Sequence, residues 1–245
     1  MNRAKITKLR ENDYASTEAL NQICSNFIFA GQEYKKVLLT SCVASEGKSF
    51  MSIQIMQNLA KRGRRVVIID ADLRRSQMVK TYGIELEGDK NGLVHYLAGY
   101  CPAEEVLYET NIPNAYLIPV GRDVVNPIPL LTSKRFSGLL DSLAEQFDYV
   151  IVDAPPVGLV VDAAEIARFC DGALFIVSYN KTRRRDLQEA KNQMVRSGCP
   201  IIGCIINQVT FESLSAKKYY NKSYYSHYND EYYARSSRPE KTGKR

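Results

Sequence analysis

The segment with the clearest chemical signature runs from Thr40 to Ser49 and reads TSCVASEGKS. Its end, with Gly47 and Lys48 before the serine, matches the phosphate-binding pattern GxxxxGK[ST], whereas Cys42 replaces the first glycine. In such a loop backbone N–H groups close on the phosphates, the lysine reaches the β- and γ-phosphates, and the hydroxyl binds Mg²⁺. An apolar strand precedes the loop and an apolar helix follows it, so the sequence predicts an Mg-ATP site. The predicted ATP-binding residues of this segment are Ala44, Ser45, Glu46, Gly47, Lys48, Ser49 and Phe50.

Carboxylates stand at the ends of two further apolar strands. Asp70 and Asp72 follow VVII, and Asp153 ends YVIVD before two prolines, as in a Walker B strand. Ligands bind at the carboxyl ends of strands in α/β sheets, and two buried carboxylates favour a nearby cation. We therefore predict Asp70, Asp153 and Ser49 as Mg²⁺ ligands, with an ordinary solvated acidic loop as the alternative. Arg74 and the arginine after it could contact phosphate or face water.

Short apolar runs alternate with longer helical patterns along the chain. The predicted strands are Val37–Ser41, Val66–Asp70, Ala115–Pro119, Tyr149–Asp153, Ala173–Ser178 and Ile201–Asn207. The predicted helices are Ser49–Arg62, Ser133–Phe147, Asp162–Phe169 and Arg183–Ser197. Each strand is apolar on both faces, which is typical of a sheet covered by helices on both sides. The alternation predicts an α/β fold with a doubly wound, mostly parallel sheet.

Two segments lie outside this alternation. A helical pattern from Ser16 to Ala30 precedes the first strand, with Ser16 or Thr17 as its expected N-cap. The last thirty-odd residues are rich in Tyr, Ser, Asn and charge, and too few aliphatic side chains remain to offset the entropy of ordering. We therefore expect a mobile, disordered C-terminal tail. The predicted divisions are residues 1–35, an N-terminal helical segment for assembly or adaptor contact, 36–212, the nucleotide-binding domain, and 213–245, the tail.

Tyrosine is concentrated in this tail, where it occupies seven of the fifteen positions from 219 to 233. Basic and aromatic residues alternate there, as in segments that stack on single-stranded nucleic acid. Exposed phenol hydroxyls on a flexible tether are also suited to phosphorylation, which would reverse the charge of the tail. The ATP site favours this second interpretation, and no nucleic-acid partner is expected. The candidate phosphorylation sites are Tyr219, Tyr220, Tyr224, Tyr225, Tyr228, Tyr232 and Tyr233.

The composition is that of a soluble globular protein, with 45% hydrophobic and 24% charged residues. The net charge of +6 comes largely from basic residues near the two ends, which are either solvated tails or weak attractants for anionic lipid or an acidic partner. The sequence shows neither a secretory signal nor an apolar run of about 18 residues, so we expect a cytoplasmic protein. Six cysteines without a CxxC pair favour reduced, buried thiols over zinc or disulfides.

The order of these motifs resembles the bacterial tyrosine kinases, or BY-kinases, most closely the separate cytoplasmic kinases of Gram-positive capsule and exopolysaccharide systems. The resemblance is carried by the GKS loop, by IIDADLRR (Walker A′), by VIVDAPPVG (Walker B) and by the tail tyrosines. It runs from about Glu18 through the tail. It implies a P-loop NTPase fold of the SIMIBI or ParA-like type. It also implies ATP-dependent tyrosine phosphorylation, largely on the tails of neighbouring subunits.

The resemblance also implies roles for individual residues. Lys48 would hold the phosphates, and Asp153 would hold the metal together with the serine of the GKS loop. Asp70 and Asp72 would assist Mg²⁺ and activate the incoming tyrosine hydroxyl, which makes these four residues the expected catalytic set. Asn207, at the end of the last strand, matches the position at which relatives contact adenine.

The implied partners follow from the same family. They are a membrane adaptor, resembling Wzz-like polysaccharide co-polymerases, that activates the kinase and recruits it to the inner face of the membrane, further copies of the chain, and a phosphotyrosine phosphatase. The implied role is regulation of capsular or exopolysaccharide biosynthesis.

Two departures from the family pattern bear on activity and assembly. Relatives usually carry Pro-Gly where this chain has Ala44-Ser45, and a positive φ at Ser45 would strain it by about 1 kcal/mol or more and lower nucleotide affinity or turnover. In the assembly motif E-x-x-R-x-x-R, Glu18 is present, but Asn21 and Cys24 replace the arginines. A ring of subunits held by those arginines would therefore lack these contacts.

Three alternative classes remain to be compared. A ParA- or MinD-like regulatory ATPase would carry a signature lysine where this chain has Val43. An iron–sulfur ATPase would need paired cysteine ligands, and the sequence shows none at suitable spacing. A catalytically weak, ATP-binding phosphoacceptor scaffold stays open because of the altered loop.

Overall fold

The computed structural model describes residues 2–10, 12–29 and 33–209. The tail predicted for residues 213–245 and its seven tyrosines lie outside the described residues. The same holds for the last residues of the predicted domain 36–212 and for the C-terminal basic residues.

Strands and helices alternate along most of the described chain. The strands are β1 Asn2–Ile6, β2 Lys36–Ser41, β3 Val66–Asp70, β4 Ile84–Leu86, β5 Tyr108–Thr110, β6 Ala115–Ile118, β7 Tyr149–Asp153, β8 Gly172–Ser178 and β9 Ile201–Asn207. The helices are α1 Tyr14–Phe29, α2 Lys48–Lys61, α3 Met78–Tyr82, α4 Leu93–Leu97, α5 Ile128–Leu131, α6 Lys134–Gln146, α7 Asp162–Ala167 and α8 Arg184–Arg196, with a 3-10 turn at Ala103–Glu105.

The described strands form one sheet in the order β4-β1-β5-β6-β3-β7-β2-β8-β9. The six strands from β6 to β9 in this order are parallel, and they are the six strands that the sequence predicts. The predicted doubly wound, mostly parallel α/β fold is confirmed. Beyond β6 the sheet becomes mixed, because β5 runs antiparallel to β6 and β4 antiparallel to β1.

Alternating side chains of the central strands supply two hydrophobic cores, one on each face of the sheet. Val67 and Ile69 of β3 pack among residues of α4 to α8, whereas Val66 and Ile68 pack among residues of α1, α2 and α3. All four are fully buried. Burial on both faces explains why these strands read as continuous apolar runs in the sequence.

Strand β1 is absent from the sequence-based prediction, which treats the basic residues near the N terminus as a solvated tail. That interpretation is wrong for Arg3 and Lys5, because both lie in β1 between β4 and β5. Ala4 and Ile6 of the same strand are buried, whereas the two basic side chains are exposed. The alternation is the period of two expected for a strand with one buried face.

Helix α1 begins before its predicted start and is capped by Asp13. The Oδ1 atom of Asp13 accepts a hydrogen bond from the Ser16 N–H at 2.7 Å, and its main-chain oxygen accepts one from the Thr17 N–H at 2.9 Å. Hydrogen bonds from Ser16 lower the pKa of the Asp13 carboxyl. The expectation of Ser16 or Thr17 as N-cap was therefore wrong, although the helix itself is confirmed.

The residues that replace the assembly-motif arginines contact α2 of the same chain or its core. Asn21 accepts a hydrogen bond from Asn58 Nδ2 at 3.0 Å, and Cys24 is fully buried. Glu18 is exposed and accepts a hydrogen bond from Asn21. All six cysteines lie in the described part of the chain and are free thiols, four of them buried, as the sequence predicts. None of the described helices has both the length and the apolar character required to cross a bilayer.

Candidate functional site

The loop between β2 and α2 carries two neighbouring left-handed backbone conformations. Ser45 has φ 64° and Gly47 has φ 91°. A Cβ atom at Gly47 would lie 2.1 Å from Nδ2 of Asn207, so only glycine fits there. The positive φ considered for Ser45 in the sequence analysis is present. An L-residue in this conformation is strained by about 1 kcal/mol or more.

Glu46, between these two residues, is 1% exposed and fully engaged in hydrogen bonds. Its Oε2 accepts from the Val43 N–H at 2.8 Å, and its Oε1 accepts from the Ser178 N–H at 3.1 Å and from the Thr182 hydroxyl. Its main-chain oxygen accepts from Asn207 Nδ2 at 2.9 Å. The side chain therefore joins the loop to the end of β8 and to the turn that precedes α8.

The carboxylates predicted to hold Mg²⁺ meet at the ends of adjacent parallel strands. Asp70 and Asp153 are paired in register on β3 and β7, and both are at most 2% exposed. Burial raises the pKa of Asp153, and burial together with the Asp153 charge raises the pKa of Asp70 well above its usual value. Two buried carboxylates in this arrangement repel each other, and a nearby cation would stabilise their charged forms.

Hydroxyl groups from α2 and from the segment before α3 contact these carboxylates. Ser49 donates to Asp153 Oδ2 at 2.5 Å, and Ser52 donates to Asp153 Oδ1 at 3.2 Å. Ser76 donates to Asp70 Oδ2. The positive charge of Lys48 acts to lower the pKa of Asp153, against the effect of burial.

This set of oxygen atoms fits Mg²⁺, a hard cation bound in nucleotide sites by one or two carboxylates, a hydroxyl and the phosphates themselves. Within residues 2–10, 12–29 and 33–209, no group of three or more His, Cys, Asp and Glu side chains forms a self-sufficient metal cluster.

Asp72 and Arg74, on the loop after β3, have different surroundings. Asp72 is partly exposed, and its Oδ1 accepts from the Arg75 N–H at 3.2 Å. Arg74 makes a two-point ion pair with the buried Asp162 of α7, from Nε to Oδ2 at 2.7 Å and from Nη2 to Oδ1 at 3.0 Å. Hydrogen bonding to Asp162 raises the pKa of Arg74. A phosphate contact would require the guanidinium to leave this carboxylate.

The loop after β7 packs directly on the loop after β2. Thr40 donates to the main-chain oxygen of Pro155 at 2.8 Å, and the Val157 N–H donates to Ser41 O at 2.9 Å. A Cβ atom at Gly158 would lie 2.2 Å from the main-chain oxygen of Cys42. The backbone approach at Cys42 thus depends on a glycine of the neighbouring loop.

Four polar residues of the site were not singled out from the sequence. Ser52 lies three residues after Ser49 on α2, and this helical spacing was a usable signal. Ser76 contacts Asp70 across six residues of an irregular loop, whereas Asp162 and Thr182 reach the site through contacts between distant segments, for which the sequence offers no local pattern. Of the remaining predicted residues, Ala44 and Ser45 are exposed and Phe50 packs beside the core.

The fold and the loop together define the P-loop NTPase class. The septum site-determining protein MinD of Pyrococcus horikoshii, in a structure with Mg-ADP, has the same fold at a TM-score of 0.58 and 22% identity, covering 70% of this chain and 69% of that one. A family model described as an AAA domain matches residues 44–168.

Two further comparisons narrow this class to a family. The tyrosine-protein kinase CpsD of Streptococcus agalactiae is 37% identical over 204 residues, which cover 83% of this chain and 87% of that protein. The kinase domain of the Escherichia coli tyrosine kinase ETK matches at a TM-score of 0.72 and 26% identity, covering 79% of this chain and 77% of that one. The chain belongs to the bacterial tyrosine kinases and is a protein-tyrosine kinase, which confirms the resemblance.

Proposed function

We propose that this kinase uses Mg-ATP at the site described above to phosphorylate the tyrosine cluster of its own C-terminal segment, on a neighbouring copy of the chain. The observation that carries the proposal is the convergence of Ser49, Asp70 and Asp153 beside the phosphate-binding loop. The seven tyrosines between positions 219 and 233 supply acceptors on the same chain.

Each residue of the site has a proposed task in the transfer. Backbone N–H groups of residues 44–49 and the Lys48 ammonium bind the phosphates, and Ser49, Asp70 and Asp153 hold Mg²⁺. Bound Mg²⁺ neutralises charge on the β- and γ-phosphates. The tyrosine oxygen bonds to the γ-phosphorus while the bond from that phosphorus to the β–γ bridging oxygen breaks, and ADP leaves. Asp72, the more exposed carboxylate, accepts the hydroxyl proton with the help of Asp70.

Asn207 has a proposed contact with adenine that is compatible with its position. Its Nδ2 donates to the main-chain oxygen of Glu46, so the amide oxygen is the atom that would accept from the adenine amine. Arg74 stays with Asp162 in this proposal.

The wider role follows from the family resemblance. We propose that a membrane adaptor of the polysaccharide co-polymerase type activates the kinase and recruits it from the cytoplasm to the inner face of the membrane. The proposed outcome is regulation of capsular or exopolysaccharide biosynthesis, with a phosphotyrosine phosphatase reversing the modification. Residues 1–35 are the proposed assembly and adaptor contact.

The decisive test combines purified protein, Mg-ATP and detection of phosphotyrosine, with and without the cytoplasmic segment of a membrane adaptor. Wild type should become phosphorylated, and Lys48→Met should lose both nucleotide binding and signal. Replacing the seven tail tyrosines with Phe should abolish the signal and leave nucleotide binding unchanged. Absence of signal in wild type under both conditions would refute the proposal.

One observation favours a second candidate, a catalytically weak phosphoacceptor scaffold that binds ATP. The left-handed φ of 64° at Ser45 strains the loop at the position where relatives usually have glycine. In that case wild type would bind nucleotide and phosphorylate itself only slowly, and another kinase would supply most of its phosphotyrosine.

A further inference from the structure

Glu46 occupies an unusual place for a carboxylate, buried in a loop that must attract the negative charge of phosphates. Its three donors come from three separate segments: Val43 of the loop, Ser178 at the end of β8, and Thr182 in the turn before α8. A buried charge is tolerated when its hydrogen bonds are complete. A neutral apolar side chain would avoid the repulsion of the phosphates but would leave these three donors without an acceptor. The carboxylate therefore joins three segments at the nucleotide loop.

The geometry of these bonds fixes the loop at both ends of its strained segment. The bond from the Val43 N–H to the Glu46 carboxylate closes the chain across Ser45, whose backbone is left-handed. The bond from Asn207 to the Glu46 main-chain oxygen holds the chain just before Gly47. Contacts from outside the loop thus set this conformation. A Pro-Gly pair at positions 44 and 45 would instead favour it through its own backbone preferences.

We infer that Glu46 is a positioning residue, and that Thr182 and Asn207 hold it so that the loop keeps its phosphate-binding shape. The inference rests on the proposed use of this loop for Mg-ATP. Thr182 lies outside the loop and belongs to a turn that leads into the exposed basic residues Arg183 and Arg184. Nucleotide affinity therefore depends on the conformation of the β8–α8 turn.

The test removes one hydroxyl from Thr182 and measures nucleotide affinity directly, in the full chain. Thr182→Val should raise the Kd for fluorescent mant-ADP with Mg²⁺, and the KM for ATP, by about tenfold, because a hydrogen bond to a charged group is lost. The kcat should change less than the KM. Thr182→Ser keeps the hydroxyl and should restore the wild-type Kd.

A matched control separates positioning from a general loss of stability. Thr110 is buried, its hydroxyl bonds to the main-chain oxygen of Ala115 at 2.8 Å, and it lies on β5, away from the loop. Thr110→Val should lower the Tm and leave the Kd of the folded protein unchanged.

Glu46→Gln provides a second route should Thr182→Val fail to fold. The glutamine amide cannot accept hydrogen bonds from all three donors, so the Kd should again rise by about tenfold or more. Where both single variants fold, the free-energy change of nucleotide binding in the double variant should be smaller than the sum of the two single changes. A wild-type Kd in folded Thr182→Val, or in folded Glu46→Gln, would overturn the inference. Nucleotide titration does not depend on phosphotyrosine formation, so failure of the kinase proposal would be seen separately.

Discussion

Asp70 and Asp153 have the surroundings expected of metal ligands. Their side chains are buried on neighbouring strands, and the pKa of each is raised, mainly by burial. Burial of these two carboxylates therefore costs desolvation free energy, which a cation bound between them would offset. The same two residues should limit stability and enable binding.

The first prediction concerns the pH dependence of this cost. Above the ordinary pKa of 3.8, the unfolded chain releases the Asp70 proton, whereas the folded chain holds it up to a higher pH. Stability without Mg²⁺ should therefore fall as pH rises through this window. Asp70→Asn avoids the titration and should raise the free energy of unfolding at pH 8 by about 1 to 3 kcal/mol, with the difference shrinking toward pH 4.

Urea unfolding of both proteins at several pH values in the presence of EDTA measures the effect. The exposed Asp89 provides a control, since Asp89→Asn should leave the free energy of unfolding unchanged within about 0.5 kcal/mol. Asp70→Asn should also lose much of the stabilisation that Mg-ATP gives wild type. A variant less stable than wild type at pH 8 would contradict this account.

At the scale of elements, the ion pair between Arg74 and Asp162 connects the loop after β3 with the start of α7. Asp162 is fully buried, whereas about a third of the Arg74 side chain is exposed, at 35%. The guanidinium also donates to the main-chain oxygen of Val125 at 3.1 Å. Three segments around the carboxylate site thus depend on one side chain.

The second prediction is that Arg74→Ala lowers the free energy of unfolding by about 1 to 3 kcal/mol, because the buried Asp162 loses its partner. The exposed pair Arg168–Glu165 gives a control, and Arg168→Ala should change stability by less than about 0.5 kcal/mol. Denaturant unfolding measures both. If Arg74→Ala keeps wild-type stability and instead raises the KM for ATP, Arg74 is a phosphate ligand.

Strands whose residues are all buried were among those predicted well. Val66–Asp70 and Tyr149–Asp153 are buried throughout and apolar up to their final aspartates, and both were predicted with their observed bounds. Strand β1 was missed although Ala4 and Ile6 alternate with basic residues, because a five-residue strand carries a weak signal. For the site, the two carboxylates Asp70 and Asp153 could be predicted because each stands at the end of an apolar strand. The partner of Arg74 lies 88 residues away and that of Thr182 136 residues away, and local patterns do not encode such contacts.

At the scale of the whole molecule, β1 fills the sheet between β4 and β5. It pairs antiparallel with one and parallel with the other, and its Ile6 N–H donates to Asn111 Oδ1 at 2.8 Å. Strand β1 therefore joins the edge strand β4 to the rest of the sheet. Without this strand, β4 and β5 would expose unpaired backbone groups.

The third prediction uses two neighbours on this strand. Ile6→Ala should lower the free energy of unfolding by about 2 to 4 kcal/mol because a buried side chain is lost. Lys5→Ala, on the exposed face, should stay within about 0.5 kcal/mol of wild type. Thermal or urea unfolding distinguishes the two. Equal stabilities would mean that β1 contributes little to the folded unit.

The position of β2 in the sheet has a consequence for the newly made chain. Strand β2, which leads into the nucleotide loop, lies between β7 and β8, and Leu38 aligns with Val152 and Ala173. A ribosome must therefore release more than half of the protein before this strand has either neighbour. Glu46 also lacks the Ser178 N–H donor until that residue has emerged. Because a domain folds from segments already synthesised, the nucleotide loop acquires its folded surroundings only late in translation.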